Sequence, residues 1–279
     1  MRRRLAILAL IGIVVLAFMF VEAWRMPAMR TATIPLAGLP AGHRAIRVAL
    51  LSDSHMSGPD SSPARLTRIV EAINAEKPDL VLLAGDYIGD RKLIGPRYTP
   101  DESVAPFAGL RAPLGVVAVL GNHDHWEGAA SVTKALRGVG VTVLSNQAIR
   151  RGPIALGGID DAYTGHARPG ATLAAVRRLR GAPLLFSHSP DVFPDLLPGA
   201  PMLLAGHNHC GQGVLPFFGP VSVPSRYGSR YLCGYYEEHD KKLVVTGGVG
   251  TSTLPFRLLA RSDWWLVTLV PPQPKRRGG

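Results

Sequence analysis

The chain has 279 residues, 47% of them hydrophobic and 18% charged, with a net charge of +11 and a pI near 10.2. That composition excludes a disordered chain and supports one domain of ordinary to large size. The basic balance favours anionic partners (phosphate esters, acidic lipid head groups or nucleic acid) and does not by itself choose among them.

Arg2-Arg3-Arg4 opens the chain, followed by Leu5 to Val21, an uninterrupted apolar run of 17 residues. The run lies near the lower limit for a membrane-spanning helix and exceeds the apolar stretch of most cleaved signals, roughly 7–15 residues. It lacks the polar face that an ordinary amphipathic helix carries. Residues 1–23 therefore read as a transmembrane anchor, with a cleaved signal as the alternative because Val21-Glu22-Ala23 has a cleavage-like pattern. The arginines also fit a twin-arginine export signal. They outnumber the basic residues just after the span, which include Arg25 and Arg30. The positive-inside rule then keeps the N-terminus cytoplasmic and places the body across an inner membrane, on the periplasmic side.

Residues 24–44, with Pro27, Pro35, Gly38, Pro40 and Gly42, read as a linker and a short leading strand. From 45 to 270, apolar strands alternate with helical patterns, which argues for an α/β core with strands buried on both faces. The first strand, Ala45 to Leu51, ends in Ser52-Asp53-Ser54-His55. Leu66, Ile69, Val70 and Ile73 come next with the spacing of an amphipathic helix, closed by Pro78. Asp79 to Leu83 is the next strand and ends in Ala84-Gly85-Asp86. After a less regular segment with a short helix around Glu102 to Leu110, Val116 to Leu120 ends in Gly121-Asn122-His123-Asp124-His125.

Ser131 to Gly138 reads as a helix, and Val141–Leu144, Ala148–Arg150 and Ile154–Leu156 as short strands. Ala171 to Arg180 is a basic amphipathic helix. Leu184 to Phe186 is a strand ending in Ser187-His188, and Met202 to Leu204 is one ending in Ala205-Gly206-His207-Asn208-His209. Leu243–Thr246 and Trp265–Val270 are the last strands, and residues 271–279 form a basic tail. Cys210 and Cys233 are too few for a disulfide framework; they either pair in an exported domain or remain buried thiols.

Five strands thus end in potential ligands (Asp53/His55, Asp86, Asn122/His123/Asp124, His188 and His207/His209), and those positions hold five of the nine histidines. Ligand-rich strand ends converge on one edge of an α/β sheet. Mixed imidazole, carboxylate and amide oxygen suit manganese, iron or zinc rather than calcium. Seven candidate ligands (Asp53, His55, Asp86, Asn122, His188, His207 and His209) are too many for one catalytic ion and suit two sharing a carboxylate. Two such ions roughly 3.5–4 Å apart can ionise a bridging water for attack on a phosphoryl group.

Asp53-x-His55, Gly85-Asp86, Gly121-Asn122-His123-Asp124, Ser187-His188 and Gly206-His207-Asn208-His209 together resemble the five-block signature of calcineurin-like metallophosphoesterases. The resemblance runs from about Ile46 to Val270. Gly211-Gln212, Pro224 to Gly228 and Gly247 to Arg257 resemble its membrane-anchored or exported bacterial branch, which includes enzymes likened to UDP-2,3-diacylglucosamine pyrophosphatases. The resemblance implies a four-layer α/β/β/α sandwich and a phosphoester hydrolase using two divalent ions, manganese favoured over iron, zinc or magnesium. One ion would be held by Asp53, His55 and His209, the other by Asn122, His188 and His207, with Asp86 bridging. His123 would be the general acid and Asp124 would orient it. Cys210 and Asn208 depart from the residues usual at those places, and no ligand is missing.

Arg257, permanently charged in a glycine-rich segment, is a candidate phosphate contact at the site rim, with a structural ion pair as the alternative. His125 reads as a surface turn residue, with a substrate contact as the alternative. Leu215-Pro216-Phe217-Phe218 reads as a buried loop, or else as a loop dipping into lipid. The substrate class is a phosphoester, with a lipid-linked one favoured by the anchor. Scattered basic residues and only 7% aromatic content speak against a nucleic-acid partner. An inactive metal-binding scaffold would show missing ligands, and this chain keeps them all.

Overall fold

The computed structural model describes residues 1–89, 93–197 and 202–273; the tail arginines and lysine at 275–277 lie outside the described residues. Its helices are α1 (Arg2–Trp24), α2 (Pro63–Ala75), α3 (Pro100–Val104), α4 (Asn122–Gly138) and α5 (Pro169–Arg177). The strands of the first half are β1 (Ala28–Pro35), β2 (Ile46–Leu51), β3 (Leu80–Ala84), β4 (Val116–Val119), β5 (Thr142–Val143), β6 (Gln147–Arg151) and β7 (Ile154–Ile159). Those of the second are β8 (Ala182–Ser187), β9 (Met202–Ala205), β10 (Val214–Leu215), β11 (Gly219–Pro220), β12 (Gly234–Glu238), β13 (Lys241–Val245) and β14 (Asp263–Val270).

Two six-stranded sheets carry the fold, ordered β1-β14-β2-β3-β4-β5 and β12-β13-β9-β8-β7-β6. Strand periodicity explains how they stack. Val48, Leu50, Leu80, Leu82, Val117 and Val119 point to the shared core, where they meet Leu156, Leu184, Phe186, Met202 and Leu204 of the other sheet. The alternate residues of the first sheet, Ala49, Leu51, Val81, Leu83 and Ala118, face α2 and α4, burying Leu66, Ile69, Ile73, Val132 and Leu136. Leu185, Leu203 and Ala205 face outward from the second sheet under Leu173 and Val176 of α5. The result is the expected four-layer α/β/β/α sandwich.

β2, β3, β4 and β5 run parallel in one sheet, and β7, β8, β9 and β13 in the other. The C-terminal ends of both parallel sets open on the same edge of the sandwich, where the ligand-capable residues gather.

Local signals hold where they were strong. The Ser62 hydroxyl accepts from the Arg65 N–H to cap α2, with Pro63 in its first turn. The leading strand expected within residues 24–44 is β1, which pairs along its whole length with β14 at the sheet edge. Two expectations change. The helix expected around 102–110 is α3 capped by a Thr99–Glu102 box, followed by a 3-10 turn over Ala105–Gly109. The helix expected from Ser131 starts at Asn122 and kinks at Gly128, so the residues after β4 form a helical turn rather than a loop.

α1 is long and apolar enough to cross a membrane, and none of its apolar window is buried. Its last turns do touch the body: Ala23 is buried, and the Arg257 N–H donates to the Met19 carbonyl across 3.0 Å.

Candidate metal centre

All seven ligand candidates are buried at the shared edge. Five of them, Asp53, His55, Asp86, His207 and His209, have positive φ between 40° and 75°. Such backbone costs of order 1–3 kcal/mol per non-glycine residue and persists only where the surroundings hold it. Here the strand ends turn sharply so that side chains, rather than main chain, face the cleft. Gly121 lets the β4 end come close enough, since a Cβ there would collide with the Asp86 carboxylate.

Hydrogen bonds fix which imidazole nitrogen faces inward. His188 Nδ1 lies 2.7 Å from the Ala84 carbonyl and His207 Nε2 lies 2.7 Å from the Pro224 carbonyl. A carbonyl only accepts, so each of these nitrogens carries a proton, and in the neutral, ligating imidazole the other is a bare lone pair. Those bare nitrogens, His188 Nε2 and His207 Nδ1, face each other at 2.9 Å, with Asn122 Oδ1 3.1 Å from His188 Nε2. Facing lone pairs repel unless a positive charge lies beside them.

A second cluster repeats the pattern. His55 Nε2 and His209 Nε2 are 3.0 Å apart, and Asp53 Oδ1 lies 3.3 Å from His209 Nε2. That Asp53 oxygen is buried and has no hydrogen-bond partner among the described residues, although Oδ2 accepts from Ser52 and the His207 N–H. An orphaned carboxylate oxygen aimed at two imidazoles is what a cation site leaves behind. Between the clusters, Asp86 Oδ2 is 3.5 Å from His55 Nε2 and 3.2 Å from His188 Nε2. The side chains present therefore fit two divalent cations with Asp86 between them.

Electrostatics agree. Burial opposes ionising Asp86, yet His188 and His123 hold its carboxyl well below the usual range. Burial likewise opposes ionising Asp53, and His209 and His55 outweigh it. Burial pushes His55 and His209 down, which favours the neutral, ligating form. On His188 burial opposes charge and the Asp86 carboxylate wins, raising it well above its ordinary value. That position attracts positive charge, which a cation bound there would supply in place of the proton.

Two sequence assignments change. Asp124 does not orient His123. Its Oδ2 accepts from the N–H groups of Asp86 and Gly121 at 2.8 and 2.9 Å, and its Oδ1 from Tyr87 and Ile88 at 2.9 and 3.3 Å. It staples the loop after β3 to the start of α4. Burial and the neighbouring Asp86 push its carboxyl up to about 7 against those donors; a cation on Asp86 would cancel that repulsion. Arg257 is not at the rim. It is 1% exposed, and its guanidinium donates to the carbonyls of Gly247, Gly248, Gly250, Ala260 and His209. Neither a phosphate nor a carboxylate partner is needed; the side chain knits the segment that backs His209.

His123 stands edge-on to His55 with ring centres 4.6 Å apart and packs on Trp126 at 4.8 Å, its Nε2 4.0 Å from Asp86 Oδ2. It lines the cleft mouth, a cavity of about 500 Å³. The other lining residues include Tyr163, Met19, Val221, Leu254 and Phe256, and no sequence motif marks any of these singly as a site residue. His125 is not a plain surface residue: its Nε2 pairs with Asp160 at 2.8 Å and its ring stacks on His166 at 4.1 Å. Asp160 escapes the sequence reading because β7 runs on through Gly157 and Gly158 to Ile159. A Cβ at Gly158 would strike Leu144 and Val119, so the glycines mark close packing rather than a turn. Reading them so would have placed Asp160 and Asp161 at a sixth strand end.

The two cysteines are joined as a Cys210–Cys233 disulfide, not held as separate thiols. It clamps the residue after His209 to the turn before β12.

Comparison with known proteins gives a match of residues 46–248 to the family model for calcineurin-like phosphoesterases. The chain is 31% identical over 250 residues to a metallophosphoesterase of Bacillus subtilis, YkuE, covering 85% of this chain and 83% of that one. It is 30% identical over 281 residues to a zebrafish transmembrane protein with a metallophosphoesterase domain, covering 93% of this chain and 61% of that longer one. It is also 29% identical over 239 residues to the Escherichia coli phosphodiesterase YaeI, covering 80% and 82% of the two chains.

Proposed function

Because the chain belongs to the calcineurin-like phosphoesterase family, we propose that this metal-dependent phosphoester hydrolase uses two divalent cations, manganese for preference. Its proposed substrate is a phosphodiester on a lipid-linked or otherwise amphiphilic molecule at an inner membrane. The observation that carries the reading is the pair of bare nitrogens, His188 Nε2 and His207 Nδ1, facing each other at 2.9 Å beside Asp86.

In this reading Asp53, His55 and His209 hold one cation, Asn122, His188 and His207 the other, and Asp86 lies between. Bound there, the cations would supply Lewis acidity at the phosphoryl group and acidify a water. The chain's own residues do the rest. Asp53 and Asp86, ionised against burial by their imidazole neighbours, supply the negative charge that retains the cations. His123 Nε2, at the cleft mouth, delivers a proton to the leaving oxygen, a task a metal-bound imidazole cannot perform. Trp126 fixes the His123 ring from the solvent side.

The apolar lining contributed by Met19, Val221, Leu254 and Phe256 supports an amphiphilic substrate. The name of the Escherichia coli relative supports a diester. Arg2-Arg3-Arg4 before the span and the Cys210–Cys233 disulfide both support a body on the oxidising, periplasmic side. A UDP-2,3-diacylglucosamine-type pyrophosphatase remains the alternative, and it would need the body on the cytoplasmic side.

The test uses the full chain in detergent, stripped with chelator and reloaded separately with manganese, iron, zinc or magnesium. A water-soluble bis-aryl phosphodiester should be hydrolysed again with manganese. No turnover with any of the four ions would sink the reading, and a C-terminal reporter active only in the cytoplasm would overturn the orientation.

A further inference from the structure

Beside the cleft, which Val221 helps to line, stands a hairpin whose tip takes no part in the metal centre. β10 and β11 pair through Val214–Pro220 and Leu215–Gly219, leaving Pro216, Phe217 and Phe218 at the tip. Phe217 is fully exposed and Phe218 is 86% exposed, with Leu215 and Val221 also open to the surroundings. The buried-loop expectation for this segment fails. From Gly211 to Ser225 there is no charged residue. Single exposed apolar side chains are ordinary; adjacent phenylalanines on an uncharged projecting tip mark a contact surface.

The attachment of that surface decides its occupant. Val214 N–H donates to the Leu258 carbonyl and Leu258 N–H to the Gln212 carbonyl, each across 2.9 Å. The next residue back, Arg257, donates to the Met19 carbonyl in α1 across 3.0 Å, and Phe256 packs on Phe20 with ring centres 6.2 Å apart. The hairpin base, the cleft wall and the last turns of α1 are thus one hydrogen-bonded unit. Only three residues, Arg25 to Pro27, separate α1 from β1, so a bilayer crossed by α1 ends against the body. Trp24, 47% exposed at the end of α1, suits the lipid–water interface.

We propose that the Leu215–Val221 hairpin inserts its phenylalanine tip into the leaflet that α1 crosses, seating the cleft mouth on the lipid surface. The occupant of the apolar face is then a phospholipid bilayer. Held at two points, helix and hairpin, the body cannot swing about α1. Met19, Leu254 and Phe256 become the side of the cleft through which the apolar part of a substrate stays in lipid while its phosphate reaches the centre. The proposal rests on α1 spanning the membrane and adds a second attachment to it.

Depth measurements on the full chain test it. Spin labels at Phe218→Cys and, as a control, Val14→Cys are introduced into protein reconstituted in nanodiscs of phosphatidylethanolamine and phosphatidylglycerol. The label at 218 should collide with oxygen and be shielded from a water-soluble nickel complex, as the label at 14 should be. A nickel-accessible 218 beside a lipid-buried 14 overturns the hairpin's role alone. Shielding from both reagents at 218 means a protein partner such as a second copy, and overturns it too. A nickel-accessible 14 overturns the spanning helix and the proposal together.

A second measurement uses the doubly substituted Phe217→Ser, Phe218→Ser chain in vesicles of the same lipids. Hydrolysis of the soluble bis-aryl diester should be unchanged, whereas a vesicle-borne alkyl aryl phosphodiester should be cleaved at least about tenfold more slowly. An unchanged rate on the vesicle-borne diester overturns the seating of the cleft. Absence of soluble-diester turnover in the unsubstituted chain would instead count against the catalytic reading.

Discussion

The His188 imidazole donates its Nδ1–H to the Ala84 carbonyl across 2.7 Å, tying the end of β8 in one sheet to the end of β3 in the other. The bond settles the tautomer and aims Nε2 at Asp86 and Asn122. Half of the proposed metal site therefore depends on how the two sheets meet, and His188 would serve both the sandwich and that centre.

His188→Ala should remove a proposed ligand and its aiming bond together. Metal analysis should show loss of at least one ion per chain, with activity down about 100-fold or more. His123→Ala should lower activity by about 10²–10⁴ and leave metal content unchanged. Equal metal loss in both variants would make His123 a ligand.

Asp124→Ala should act through stability. It leaves the N–H groups of Gly121, Asp86, Tyr87 and Ile88 without their acceptor in a buried loop. Bonds to a charged acceptor are worth about 1.5–3 kcal/mol each and are not additive, so a loss on the order of 3 kcal/mol is expected. Thermal unfolding of the detergent-solubilised chain reads it; an unchanged midpoint with lost activity would return Asp124 to a catalytic role.

Reduction of the Cys210–Cys233 link frees a loop with a sequence separation of 23 residues. Chain entropy makes that closure worth about 3 kcal/mol. Cys233→Ser should lower the unfolding midpoint and weaken metal binding, since Cys210 adjoins His209. The same midpoint with and without reductant would show that the bridge contributes nothing.

The His125–Asp160 pair should leave a pH signature. The bond to Asp160 raises His125 above its ordinary value; burial opposes ionising Asp160, and the bonds from His125 and Ser145 lower it. The raised imidazole contributes stability that is full below the unfolded value of about 6.5 and is lost as pH rises through the higher folded value. The lowered carboxyl contributes stability that is present above about 3.9 and is lost as pH falls through its folded value. The difference in melting temperature between the unsubstituted chain and His125→Gln should therefore be widest from about pH 4 to 6.5 and shrink above it. A difference that grows with pH would refute the pairing.

Much of the centre was legible in the chain because buried parallel strands are short, apolar and easily bounded, and the residues just past each strand must sit at the sheet edge. Asp53, His55, Asp86, Asn122, His188, His207 and His209 could be collected that way without knowing which strands are neighbours. The apolar run of α1 was equally plain, since length and hydrophobicity define it locally.

Roles that depend on direction were not legible. Arg257 in a glycine-rich segment looks free to meet phosphate, yet the backbone turns its guanidinium inward onto five carbonyls. Asp124 beside His123 looks like its support, but a helical turn points the carboxylate back at the β3 loop. The tautomers of His188 and His207 come from carbonyls 104 and 17 residues away in sequence. Residue type and spacing determine which groups reach the cleft edge. Side-chain direction, long-range hydrogen bonding and the contact of α1 with the body arise only once the sheets have packed, because each is set by neighbours far away along the chain.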